Sequence, residues 1–204
     1  MKKNKFIAAV VALLATPLLI LSQKKGDHTY TMPDSATMMK NWMAYSTPGD
    51  MHKMMASWDG TWDGEVSMWQ MPGAPPQTSN STATNKMIMG GRYQLSNHSG
   101  NMMGAPFEGM STLAYDNDKK TFISTWIDNM GTGMMKLEGT WDAGSKSITL
   151  KGKVVDAGAG NGREAEIREV FRITDDDHQT MEMYGYAPDG KEFKMMEIKY
   201  TRKK

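Results

Sequence analysis

No cysteine occurs among the 204 residues. No disulfide can therefore staple the fold, and thiol nucleophiles and thiolate metal sites are excluded. Branched aliphatic residues are scarce too. Beyond residue 22 the chain has four leucines, seven isoleucines and four valines, too few to fill the core of a domain this size. Methionine stands in for them, 22 in all, a flexible side chain suited to irregular interiors. An excess of one charge is missing as well: 24 basic residues face 23 acidic ones, which argues against electrostatic binding to nucleic acid. The four histidines, His28, His52, His98 and His178, show no ligand spacing, so no zinc site is expected. Neither glycine-rich run has the lysine spacing of a phosphate-binding loop, and no serine, histidine and aspartate stand in a nucleophile-elbow context. Nothing here calls for a cofactor, a bound metal or a catalytic residue.

The N-terminus is of a different kind. Met1-Lys2-Lys3-Asn4-Lys5 precedes an uncharged stretch from Phe6 to Leu21, and then Ser22-Gln23-Lys24-Lys25. This is the form of a secretory signal peptide over residues 1–22. Its apolar run of 16 residues is shorter than the roughly 20 a spanning helix needs, so no stable membrane insertion is expected after cleavage. The mature chain loses three lysines and becomes slightly acidic, with 21 basic against 23 acidic residues. It divides into a flexible lead at 23–34, a helical segment at 35–57 and one β-domain at 58–204.

Asp34 or Ser35 can cap a helix in which Met38, Met39, Trp42, Met43 and Tyr45 recur at helical spacing, ended by Thr47-Pro48-Gly49. A second short helix runs from Asp50 to about Ser57, and both are expected to pack across one end of the β-domain. From Gly60 the period changes to two. Trp62, Gly64, Val66 and Met68 alternate with Thr61, Asp63, Glu65 and Ser67, as in a half-buried strand. Further strands are predicted at 79–89, 92–98, 107–115, 121–128, 134–141, 147–155, 164–173, 179–186 and 192–202. Turn signals such as Asp116-Asn117-Asp118 and Pro188-Asp189-Gly190 lie between them. About ten strands in sequential hairpins predict a mainly β fold, a single antiparallel up-and-down barrel that removes its edges by closing. Gly100 to Pro106 and the tip Ala157–Gly162 read as glycine-rich loops.

On the strand 121–128, Phe122, Ser124, Trp126 and Asp128 share one face; Trp126 either stacks on a ligand in a cavity or fills the barrel. On 179–186, Glu182, Tyr184 and Tyr186 share a face, a polar head-group site or a solvated exterior. On 164–173, Ile167, Phe171 and Ile173 form a core face, while Arg168 and Arg172 point outward or pair with carboxylates, the alternative being an arginine that points into the barrel to hold a carboxylate ligand. His98, in Ser96-Asn97-His98-Ser99, is either a pocket ligand or haem-binding residue or, on the plainer reading, a solvent-facing strand-end residue. Met51-His52-x-Met54-Met55 is the best candidate for copper(I), since thioethers are soft ligands, against the plainer reading of core packing.

Gly60-Thr61-Trp62 on the first strand with Arg202 on the last resembles the lipocalin and fatty-acid-binding superfamily, and the resemblance implies a structural latch between Trp62 and Arg202 that closes the barrel. A longer run resembles the bacterial domain of unknown function 1579. It comprises His52, Trp58-x-Gly60-x-Trp62, Gly90-Gly91-Arg92, Phe107-x-Gly109, Tyr115-Asp116, Trp126-x-Asp128-x-Met130 and Tyr200-x-Arg202. That resemblance implies a calycin-like barrel in an exported bacterial protein, with the Gly-Gly-Arg and Trp-x-Asp stretches as pocket residues. The expectation is an exported barrel, periplasmic or secreted, that binds a small apolar or amphipathic molecule through Arg92, Trp126, Asp128 and Tyr184. The alternatives are an isomerase or hydrolase using Asp128 or Glu182 as base, and a methionine-rich copper or oxidative-stress protein.

Overall fold

The computed structural model describes residues 32–102 and 104–204, so the expected signal peptide and nearly all of the flexible lead lie outside the described residues. Two helices, α1 (Ser35–Ser46) and α2 (Asp50–Ala56), lead into ten strands. These are β1 (Gly60–Met68), β2 (Gln77–Ile88), β3 (Tyr93–Met102), β4 (Ala105–Asp116), β5 (Thr121–Asp128), β6 (Met135–Asp142), β7 (Ser147–Val155), β8 (Glu164–Ile173), β9 (His178–Tyr186) and β10 (Glu192–Arg202). Each strand pairs antiparallel with the next, and β1 pairs with β10 to close the barrel. Closure leaves no row of unpaired amides at an edge, which is how this meander escapes edge-to-edge association.

The two-residue period of the sequence becomes the inside and outside of the wall. Trp62, Val66 and Met68 of β1 face inward with Ile198 and Tyr200 of β10, while the intervening Glu65 and Lys199 are exposed. The core has two parts. One gathers Met55, Trp58, Phe122, Leu137, Ile148, Leu150 and Ile167; the other gathers Trp62, Val66, Ala83, Ile198 and Tyr200. Methionine does the packing that leucine would do elsewhere: Met51, Met54, Met87, Met135 and Met183 lie against the first cluster, and Met68, Met181 and Met196 against the second.

The latch forms as expected. Trp62 and Arg202 are register partners, and the guanidinium carbon sits 4.2 Å from the centre of the indole ring. The same guanidinium donates to the carbonyls of Asp59 at 2.7 Å, Ser57 at 2.8 Å and Asp176 at 3.0 Å. Arg202 thus ties the last strand to the link between α2 and β1. Gly60 is glycine for two reasons, a φ of 127° that side chains rarely adopt and the guanidinium nitrogen 3.1 Å from where a Cβ would stand.

The two helices behave differently, which corrects one expectation. α2 docks on β2 and β3 and sends Met55 into the core with Trp58 just beyond it. α1 has no buried residue, and Met39, Trp42 and Met43 are exposed, so its apolar stripe covers nothing among the described residues. Asn117, in the turn after β4, holds its C-terminal end by donating to the carbonyls of Ala44, Tyr45 and Thr47. A second correction concerns Gly100 to Pro106: β3 runs on to Met102 and β4 starts at Ala105, so most of that expected loop is paired strand, Gly100 facing Phe107. No described helix is long and apolar enough to cross a membrane.

Candidate functional site

The barrel is hollow. A cavity of about 970 Å³ fills its interior, at the upper end of the range that small-molecule sites occupy. Trp58 and Trp62 form its floor above α2, and its other end reaches the exposed segments Met130–Met134 and Val155–Ala157.

Polar groups near the floor are used in building it. Trp62 Nε1 donates to the Trp58 carbonyl at 3.0 Å and Asn85 Nδ2 donates to the same oxygen at 3.2 Å. Ser96 donates to Asn85 Oδ1, while Gln94 Nε2 donates to the Met55 carbonyl at 2.6 Å and to Asp59 Oδ1 at 3.0 Å. These bonds satisfy buried groups that would otherwise be costly, and they fix Trp58 and α2 in place.

Higher up, an aromatic group forms around Trp126. Phe107 stacks near it at 6.3 Å between ring centres, and His98 meets it edge-on at 4.9 Å. Gly109 makes this possible, because a Cβ there would come within 2.5 Å of the indole. Trp126 Nε1 donates to Asp128 Oδ2 at 2.7 Å, and the Met130 amide donates to Asp128 Oδ1 at 2.9 Å. Asp128 therefore orients Trp126 and caps the turn with both oxygens already engaged. The expectation for His98 is corrected here: it faces the cavity, paired with Ala83 and Gly109 across the sheet, and burial lowers its imidazole to about 4, leaving it neutral at pH 7.

Of the four expected contacts, Trp126 and Asp128 line the cavity together, and Arg92 and Tyr184 do not. Arg92 sits in the exposed turn between β2 and β3, where its guanidinium donates to the Met89 carbonyl at 3.1 Å; the Gly90-Gly91-Arg92 stretch builds that turn. Tyr184 lies on the outer face of β9, because the inward residues of that strand are Gln179, Met181 and Met183. There its hydroxyl donates to Glu182 at 3.0 Å and the Arg168 guanidinium covers its ring at 3.9 Å, while Arg168 is held by Glu192 at 2.7 Å. Lys194 pairs with both Glu182 and Glu197 on that outer face. Glu182 is thereby separated from the cavity. His52 and Met55 of the copper candidate are buried under the barrel, with His52 Nδ1 accepting from the Gly49 amide at 3.1 Å. Among the described residues no three histidines or carboxylates converge as metal ligands.

One cavity group escaped sequence reasoning. Glu169 shares the inward face of β8 with Ile167 and Phe171, beside Leu150 of β7 and Met183 of β9. Protein encloses it on all sides while its remaining accessible surface opens into the cavity, and burial raises its carboxyl to about 7. The signal was present in the alternation itself, a single acid on a face otherwise apolar.

These features have relatives. The family model described as protein of unknown function (DUF1579) matches residues 47–202. The chain belongs to that family. No curated protein matches the sequence. Among solved structures, Rv2717c from M. tuberculosis is similar with a TM-score of 0.57 and 14% identity, over 78% of this chain and all of that one. A redesigned β-barrel aligns at a TM-score of 0.38 and 13% identity, over 76% of this chain and all of its own. The first likeness concerns the barrel fold alone.

Proposed function

We propose that this DUF1579 protein is an exported carrier or sensor that binds one small apolar or amphipathic molecule inside its barrel. The observation that carries the reading is the cavity of about 970 Å³, walled mainly by methionine, aromatic and branched side chains. A closed core at ordinary packing density holds few voids larger than a water molecule, so a space this size in a folded domain is a site rather than a packing fault. The exposed outer wall carries Glu65, Lys86, Lys136, Lys151 and Lys199, which suits an aqueous compartment and not a lipid-facing barrel. The lysine-rich start followed by a short apolar run supports export to the periplasm or beyond.

Titration with Nile red, a neutral environment-sensitive dye, tests the reading. Saturable one-to-one fluorescence enhancement is expected, displaced by straight-chain alcohols with affinity rising about fourfold per added methylene as apolar surface is buried. A linear, non-saturating response that no alcohol displaces would overturn it.

A further inference from the structure

Resting on the reading of the barrel as a binding site, we propose that its ligand is a cationic amphiphile, an apolar molecule bearing a protonated amine, and that Glu169 is the group that holds the amine. The charge inventory of the cavity carries this. No lysine or arginine lines it among the described residues, whereas two carboxylates do. Arg168 and Lys194, each next in sequence to a cavity-lining residue, are turned outward and paired with Glu192, Glu182 and Glu197. A ligand carboxylate entering the barrel would meet Glu169 and Asp128 with no cation to offset them.

The two acids differ in what they have left to offer. Asp128 is engaged by the Trp126 indole and the Met130 amide. The Glu169 carboxyl makes no hydrogen bond or ion pair with any described residue, and the side chains of its cross-strand neighbours, Leu150 and Met183, have nothing to donate. A carboxyl enclosed among apolar groups is costly to ionise, and it is retained here in a barrel that elsewhere satisfies its buried polar atoms with care. A protonated amine arriving in the cavity supplies the missing donor and countercharge at once. The surrounding groups agree: burial keeps His98 neutral, so it does not compete as a cation, and burial together with the nearby Glu169 charge raises the Tyr200 phenol, so it stays protonated and adds no second anion.

The test uses three probes with one tail, decylamine, decan-1-ol and decanoate, each displacing Nile red from the full chain at pH 8. Decylamine should bind at least tenfold tighter than decan-1-ol, with decanoate weakest. Glu169→Gln should bring decylamine to within about threefold of the alcohol and leave the alcohol unchanged, so alcohol binding also reports that the variant is folded. Glu169→Met, apolar and of similar length, should do the same if the glutamine variant does not fold. Equal binding of amine and alcohol by the parent protein, or an amine preference that survives both substitutions, would overturn the assignment while leaving the cavity reading intact. Failure of all three probes to displace the dye would overturn the cavity reading and this assignment with it.

Discussion

Glu169 and His98 face one cavity and are displaced in opposite directions, which makes them separable by pH. Glu169 moves from 4.5 to about 7 on folding, so between those values the folded protein keeps a proton the unfolded chain has lost, and stability falls as pH rises. His98 moves from 6.5 to about 4, so the unfolded chain takes its proton first and stability falls as pH drops through that window. Urea unfolding at pH 4.5, 6 and 8 should show Glu169→Gln gaining about 3 kcal/mol over the parent at pH 8 and little at pH 4.5. His98→Gln should gain at pH 4.5 and not at pH 8. Differences from the parent that do not change with pH would refute both placements. At Gly109, alanine would drive a methyl into the Trp126 ring, and a loss of about 1 to 3 kcal/mol with a shift in tryptophan emission is expected. Trp126 and Asp128 are legible in sequence because one aromatic face of one strand joins them. Glu169 is not, since a lone acid among Ile167 and Phe171 is easily passed over when the face is judged by its majority.

Elements are mostly readable because hairpins announce themselves locally. Alternation shows which residues of β5 and β8 share a face, and the Asp and Gly clusters mark the turns between. Gly100 to Pro106 reads as a loop because glycine lowers strand propensity, yet cross-strand pairing decides the outcome: Gly100 and Asn101 pair with Phe107 and Pro106 in a long hairpin. The expected docking of α1 fails for a related reason, that helical spacing of Met39, Trp42 and Met43 reports an apolar stripe without reporting a partner. Met55, by contrast, is fully buried on α2, and Met55→Ala should cost about 2 to 5 kcal/mol in urea unfolding. Asn117→Ala, which removes three bonds to the end of α1, should speed amide exchange in 35–46 and leave the global unfolding midpoint almost unchanged. Equal loss of protection across the barrel would show that α1 is integral to the fold.

For the whole molecule, closure is what turns a meander into a container. The latch is its seam, with Trp62 almost wholly buried and Arg202 bridging three carbonyls, so Arg202→Lys should lower stability by about 1 to 3 kcal/mol because an ammonium cannot make the forked contact. That hollow interior is the central claim, and the protein carries its own reporters for it. With methyl-labelled methionine, decan-1-ol is titrated into the full chain and the methyl resonances are followed. The cavity-facing Met68, Met181, Met183 and Met196 should shift together and saturate, while the exposed Met39, Met71 and Met89 stay in place. Shifts confined to the exposed methionines, or none at all, would contradict an open barrel and show that its interior admits no ligand.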